Sequence, residues 1–223
     1  MFERALAIDP QCARAHANIA YQYAYEPFHS TVGATEKLQR ARRHVERALE
    51  LDDSDSATQE TAAFVYLLLQ EYDLAESHSI LAVRANPNDR YAAGMRGLVT
   101  GCLGDPQAGI DLLLKARRLD PRALEAGREP LMAVYYLARR YRDAVEEFRQ
   151  WRNPPPHVLL DAAAFYAQLG PSDDVRRMIE RFELERPESF DIVDYTRFHL
   201  RCYKRREDCD HWLDGYRKAG LPV

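Results

Sequence analysis

A short phrase recurs along the chain, and this recurrence limits the possible folds more than any other feature. It opens the sequence as FERALAIDP (2–10) and returns as VERALELDD (45–53) and LLKARRLDP (113–121). The closing position of the phrase and of its weaker copies falls at residues 10, 53, 87, 121, 156 and 187, with spacings of 43, 34, 34, 35 and 31. A period near 34 residues is typical of stacked helix pairs.

A second pattern lies inside each period. Ala63 and Tyr66 precede the closing position at 87 by 24 and 21 residues, and Ala163 and Tyr166 precede the one at 187 by the same distances. A small residue, such as Ala75, follows on a second helix. Small side chains let two antiparallel helices pack closely, while the aromatic ring fills the wedge to the next pair. We therefore predict an all-α fold of stacked antiparallel helix hairpins.

The combined pattern resembles the tetratricopeptide repeat (TPR), with its small-x-x-Tyr, Ala-x3-Phe and closing Pro. The resemblance covers residues 10–187 and has departures: Ser79 stands where an aromatic residue is usual, Thr100 replaces Tyr, and Trp151 replaces Ala. It implies a right-handed superhelix of antiparallel helix hairpins that serves as a protein interaction module and has no catalytic residues of its own.

The periodicity divides the chain into three parts. Residues 1–12 are predicted to be the truncated second helix of a preceding repeat, which indicates a fragment of a longer protein. Residues 13–187 are predicted to hold about five repeats, the first with a loop insertion at 26–34, and residues 188–223 a C-terminal capping helical hairpin. The predicted repeat helices span about 13–25, 35–51, 56–70, 72–84, 90–103, 106–118, 130–139, 141–152, 157–169 and 171–184.

The N-terminal edge is apolar. Phe2, Leu6 and Ile8 lack a preceding first helix, and each would gain about 1.5–3 kcal/mol by burial. We expect this edge to pack against an upstream domain of the parent protein or against a second copy of the chain.

Composition argues against several classes of partner. The net charge of −4 and the pI of about 6.0 provide no basic field for nucleic acid. The longest apolar run, 62–69, is far shorter than the ~20 residues that cross a bilayer, so we expect no membrane association. Four scattered cysteines fit a reducing, cytoplasmic environment.

No catalytic, cofactor or metal site is predicted. His199, Cys202, Cys209 and His211 are zinc-type ligands, but their spacing matches no common zinc motif and favours packing within the last hairpin. The acidic run at 51–56 resembles a calcium loop but lacks its turn glycine and its bidentate glutamate, so an inter-repeat loop is favoured.

The TPR resemblance implies that the first helix of each pair lines a concave groove that binds a protein or peptide. The charged clamp of chaperone-binding relatives is not reproduced, because only Asn18 falls on one of its usual positions. The sequence leaves open whether the groove is free or self-occupied. The candidate groove residues are Arg14, Asn18, Tyr21, Tyr25, Glu60, Phe64, Tyr91, Met95, Leu98, Ala133 and Tyr136.

A narrower resemblance rests on the loop at 26–34 and three other segments: GDPQAGIDLLLKARRLDP (104–121), FYAQLG (165–170) and WLDGYRKAGLP (212–222). Together they are similar to the C-terminal repeat regions of bacterial class III adenylate/guanylate cyclases and related winged-helix regulators. This implies a module that regulates an upstream catalytic or DNA-binding domain. The alternative is a stand-alone scaffold or adaptor that binds a peptide in the concave groove.

Overall fold

The computed structural model describes residues 1–121 and 127–223. Thirteen α-helices and no strand lie in this part of the chain, which confirms the predicted all-α fold. Residues 122–126 fall inside the predicted repeat region 13–187 but outside the described residues. Among the described helices, none has the length and apolar character needed to cross a membrane.

The helices of the predicted hairpins begin and end within three residues of their predicted limits. The first of them, α2, matches its prediction at both ends. The bounds are α1 Phe2–Ile8, α2 Ala13–Tyr25, α3 Ala34–Leu51, α4 Ser56–Leu68, α5 Tyr72–Ala85, α6 Arg90–Cys102, α7 Pro106–Leu119, α8 Arg128–Leu137, α9 Tyr141–Arg149, α10 Pro156–Leu169, α11 Asp173–Glu185, α12 Ile192–His199 and α13 Arg206–Lys218.

Aspartates at the helix starts set several of these bounds. The carboxylates of Asp55, Asp89 and Asp105 accept backbone N–H groups of the first turn of α4, α6 and α7 at 2.9–3.0 Å. Such caps satisfy N–H groups that have no partner inside the helix. Pro106 starts α7 at a position where its missing N–H costs nothing.

Consecutive helices pair as hairpins, α2 with α3, α4 with α5, α6 with α7, α8 with α9 and α10 with α11. The first helices of neighbouring hairpins also contact each other from α2 to α8, which produces the stacked array. Small residues allow the closest approach. A Cβ added to Gly109 would lie 2.8 Å from the carbonyl oxygen of Gly97 and 2.9 Å from the backbone nitrogen of Gly101.

The last two helices return along the array. Helix α13 packs on α10, and the segment before it passes the ends of earlier hairpins. The Phe28 and Phe198 rings lie 5.1 Å apart, and the Tyr72 hydroxyl donates to the carbonyl of Tyr203 at 2.9 Å. The backbone N–H of Lys204 donates to the carbonyl of Cys102 at 3.0 Å. The helical period predicted this hairpin but not its path along the array. The role of the hairpin as a cap and the division of the chain into repeats stay predictions.

A buried carboxylate holds this C-terminal segment in place. Asp161 on α10 accepts hydrogen bonds from the hydroxyls of Tyr195 (3.1 Å) and Tyr216 (2.6 Å), which belong to α12 and α13. Burial raises the pKa of Asp161, although His199 and the Tyr216 hydrogen bond oppose this shift. Nearby, the fully buried Trp212 ring lies 4.0 Å from that of Tyr136.

The N-terminal helix packs on α2 but is open on its other side. None of its residues is buried, and Ile8 is 88% exposed. The expectation that a neighbour covers this edge stays a prediction.

We expect Gly109→Ala to lower the free energy of unfolding by about 1–3 kcal/mol, because its methyl group would meet backbone atoms of α6 that cannot move aside easily. Gly94→Ala on α6 is the matched control. Its added Cβ would lie 4.0 Å from the Cβ of Ala116, an ordinary contact, so improved helix propensity should leave stability unchanged or raise it by up to about 1 kcal/mol. Urea denaturation checks both, and equal effects would contradict the close approach.

We expect the wild-type chain to self-associate as its concentration rises, because apolar side chains of α1 gain by burial in a second copy. Ile8→Ser should weaken this association, whereas Leu184→Ser on α11, at a site 87% exposed, should not. Sedimentation velocity over a wide concentration range measures it. A wild-type chain that stays monomeric throughout would exclude the second copy.

Candidate functional site

A cavity of about 340 Å³ opens on the side of the array formed by α2, α4, α6 and α8. Most of the groove residues predicted from sequence line it, because successive turns of each first helix point the same way. These are Tyr21, Tyr25, Glu60, Phe64, Tyr91, Met95, Leu98 and Ala133. Their role in binding stays a prediction, but the structure brings them together.

The other three predicted residues lie outside this cavity. Exposed Arg14 forms an ion pair with Asp55 at 2.7 Å, and the Asn18 side chain donates to the carbonyl of Arg14 at 2.7 Å. Tyr136 is fully buried, with its hydroxyl donating to the carbonyl of His211 at 3.0 Å. The predicted placement of Tyr136 in the groove is wrong, because α13 covers this face of α8. The repeat periodicity contains no information about the position of α13.

Aromatic rings form the wall nearest solvent. The Tyr21 ring lies 5.5 Å from that of Phe64 and 5.8 Å from that of Tyr25. Tyr21 is 40% exposed and Tyr91 is 54% exposed. Exposed rings of this kind offer contact area at low entropic cost to a ligand, since each has only two side-chain torsions.

The C-terminal segment contributes to the floor. His199, Cys202 and Tyr203 line the cavity together with Asp161. The His199 ring lies between the hydroxyls of Tyr216 and Tyr203, each at 2.8 Å, and burial lowers its pKa. Sequence reasoning missed these residues as site residues. His199 and Cys202 were weighed only as zinc ligands, and no local sequence signal places this segment against the cavity.

A bridge of hydrogen bonds connects three helices at the wall of the cavity. Glu129 on α8 accepts from the Tyr25 hydroxyl at 3.0 Å, and its other oxygen lies 3.2 Å from Nε2 of His157. Burial opposes ionisation of Glu129, but the His157 charge and these two hydrogen bonds outweigh it, so the pKa of Glu129 is lowered. The bridge joins α2, α8 and α10 through side chains.

Glu60 differs from the other acids of the cavity. Asp120 lies 3.8 Å from Arg90, while Glu129 and Asp161 accept the hydrogen bonds described above. Within residues 1–121 and 127–223, Glu60 has no hydrogen-bond or ion-pair partner. Burial, followed by the nearby charge of Asp89, raises the pKa of Glu60 to about 7, although Arg90 opposes the shift.

The four His and Cys residues of the C-terminal segment that were weighed as zinc ligands do not come together. His199 and Cys202 face the cavity, whereas the His211 ring stacks on Tyr136 at 4.4 Å and the Cys209 thiol lies 3.6 Å from the carbonyl of Leu200. Across the described residues, no group of three or more His, Cys, Asp or Glu side chains is placed to hold a metal ion. Among the residues that the structure describes, the cavity offers apolar contact area and the carboxylate of Glu60, for which no partner is found there.

No family model matches the sequence, and no curated protein matches it significantly. The fold is similar to that of pilF from Pseudomonas aeruginosa, at 19% identity over 89% of this chain and 86% of that one, with a TM-score of 0.52. It is also similar to a tetratricopeptide repeat protein from Parabacteroides merdae, at 15% identity over 98% and 83% of the two chains, with a TM-score of 0.55. Likeness at these identities concerns the fold alone. The chain has the helical-hairpin fold of tetratricopeptide repeat proteins.

Proposed function

We propose that this chain is a non-catalytic interaction module that binds a peptide segment of a partner protein in the cavity. The observation that carries the proposal is the pair of exposed rings, Tyr21 and Tyr91, at the mouth of a cavity of about 340 Å³. Exposed aromatic side chains beside a concavity are the usual anchors of protein recognition. The resemblance of the fold to TPR proteins supports the same conclusion.

The size of the cavity favours a short segment. Ligand pockets commonly measure about 300–1,000 Å³, so this one suits a few side chains of an extended peptide or a helix. The C-terminal segment lines the buried part of the cavity through His199, Cys202 and Tyr203. Side chains would therefore insert from the open side, past Tyr21 and Tyr91, toward Phe64.

The wider role has two versions that use the same cavity. In the first, which rests on the sequence resemblance to cyclase and winged-helix regulator repeats, the module regulates a domain upstream in a longer protein. In the second, it is a stand-alone scaffold or adaptor. The reading frame upstream of Met1 separates them. A cytoplasmic location, inferred from the scattered cysteines, stays a prediction.

A random peptide display library at pH 8 should yield peptides that bind wild-type protein and lose at least about tenfold in affinity for the Tyr21→Ser, Tyr91→Ser double variant, because truncating an aromatic anchor costs about 1–2 kcal/mol or more. Fluorescence anisotropy measures the dissociation constants.

The matched control is Leu81→Ser on α5, where the side chain is 41% exposed and lies outside the cavity. It should bind the selected peptides as wild type does. A library that yields no peptide sensitive to the double variant would refute the proposed function.

A further inference from the structure

Glu60 is a strong acceptor in the cavity, and no donor for it lies among residues 1–121 and 127–223. Glu60 lies on α4, one turn before Phe64, and both side chains line the cavity. In the described part of the chain no donor reaches its carboxylate. A carboxylate held in apolar surroundings without a partner loses free energy relative to water, and an incoming cation with a hydrogen to donate restores it.

The rings around Glu60 suit a cation as well. Tyr21 and Tyr91 line the same cavity as Glu60. Burial of the Tyr21 phenol, followed by its electrostatic interactions with Glu129, Glu60 and Tyr91, raises its pKa to about 12. The faces of tyrosine and phenylalanine rings attract ammonium and guanidinium groups within about 6 Å. The chain itself shows this preference at the mouth of the cavity, where the Arg90 guanidinium lies 4.3 Å from the centre of the Tyr91 ring.

The described charged residues near Glu60 do not supply a cationic partner for its carboxylate, so a ligand can supply one. Asp89 caps α6 and accepts a hydrogen bond from the Ser56 hydroxyl at 3.1 Å. Both of its carboxylate oxygens therefore already have donors. The Arg90 guanidinium lies 3.8 Å from Asp120 and 4.3 Å from the centre of the Tyr91 ring. Arg117, the other arginine of the lining, pairs with Glu147 at 3.1 Å, and Glu129 is held by Tyr25 and His157. Among the described acids of the cavity, Glu60 is therefore the one that can take a cation from a ligand.

We propose that the cavity takes the cationic side chain of a lysine or arginine in the partner peptide, with Glu60 as its ion-pair partner and Tyr21, Phe64 and Tyr91 as the surrounding rings. This inference rests on the proposed function and adds the residue class that the site selects. The stem of such a side chain is apolar and packs along the rings, while its charged end reaches Glu60.

Two synthetic hexapeptide libraries test the selection. They are identical except that the third position is lysine in one and norleucine, an uncharged chain of similar shape, in the other. Binding peptides count only if they fail to bind the Tyr21→Ser, Tyr91→Ser variant. At pH 8 we expect such peptides to come mainly from the lysine library, and equal recovery from both would overturn the cationic preference while leaving the proposed function intact. If neither library yields one, the proposed function fails and the inference fails with it.

The strongest lysine peptide then tests Glu60 directly. At pH 8 its norleucine analogue should bind wild type about tenfold more weakly, the size expected for a desolvated ion pair beside aromatic rings. The difference should nearly vanish in Glu60→Gln and persist in Glu188→Gln, which changes an exposed acid in the loop before α12. Unchanged discrimination in Glu60→Gln would overturn the assignment.

The pH dependence gives an independent readout. The pKa of Glu60, raised to about 7, means that the carboxylate forms as pH rises through 7. The lysine peptide should therefore bind more tightly at pH 8 than at pH 5.5, and the norleucine analogue should change little. An NMR titration of free protein should find the carboxyl of Glu60 titrating near 7. A value at or below the ordinary 4.5 would show that Arg90 already neutralises it, which would refute the proposal.

Discussion

The carboxylate of Asp161 lies in the protein interior, where an anion is stable only if donors replace the water it has lost. Two phenols do so, and both belong to the C-terminal segment: Tyr195 on α12 and Tyr216 on α13. Loss of either hydroxyl, with the segment still packed in place, would leave the buried carboxylate on α10 with one donor fewer, which costs more than each hydrogen bond contributes when formed. The site depends on this attachment, since His199 and Tyr203 of the same segment form the floor of the cavity.

Arrays of helix hairpins are usually held together by contacts between neighbours alone. This chain adds contacts between distant hairpins. Tyr25 and Glu129 are 104 residues apart in sequence and share a hydrogen bond, while Tyr72 and Tyr203 are 131 apart. Such contacts tie together hairpins that are not neighbours in the array. If the cavity binds the proposed peptide, walls that are already ordered would lower the free energy spent on ordering them.

The partly buried carboxylate of Glu60 is unfavourable for the stability of the fold. A carboxylate in the position of Glu60, with its pKa raised by burial, reduces the stability of the folded state as pH rises from 4.5 through 7, because the unfolded chain ionises more easily. An apolar residue there would fit the surrounding rings and avoid this loss. Groups that lower stability in this way are commonly found where proteins bind something.

The hairpins could be predicted from the sequence, because helix periodicity and close-packed small residues act over a few turns. The resemblance to TPR proteins predicted that Tyr21, Phe64 and Tyr91 face one groove, and the structure places all three in the lining of the cavity. Three features became visible only in three dimensions: the C-terminal segment returns along the array, α13 buries Tyr136, and no donor within the described residues reaches Glu60. These outcomes depend on the three-dimensional shape of the assembled array, which brings together residues more than 70 positions apart and has no local sequence signal.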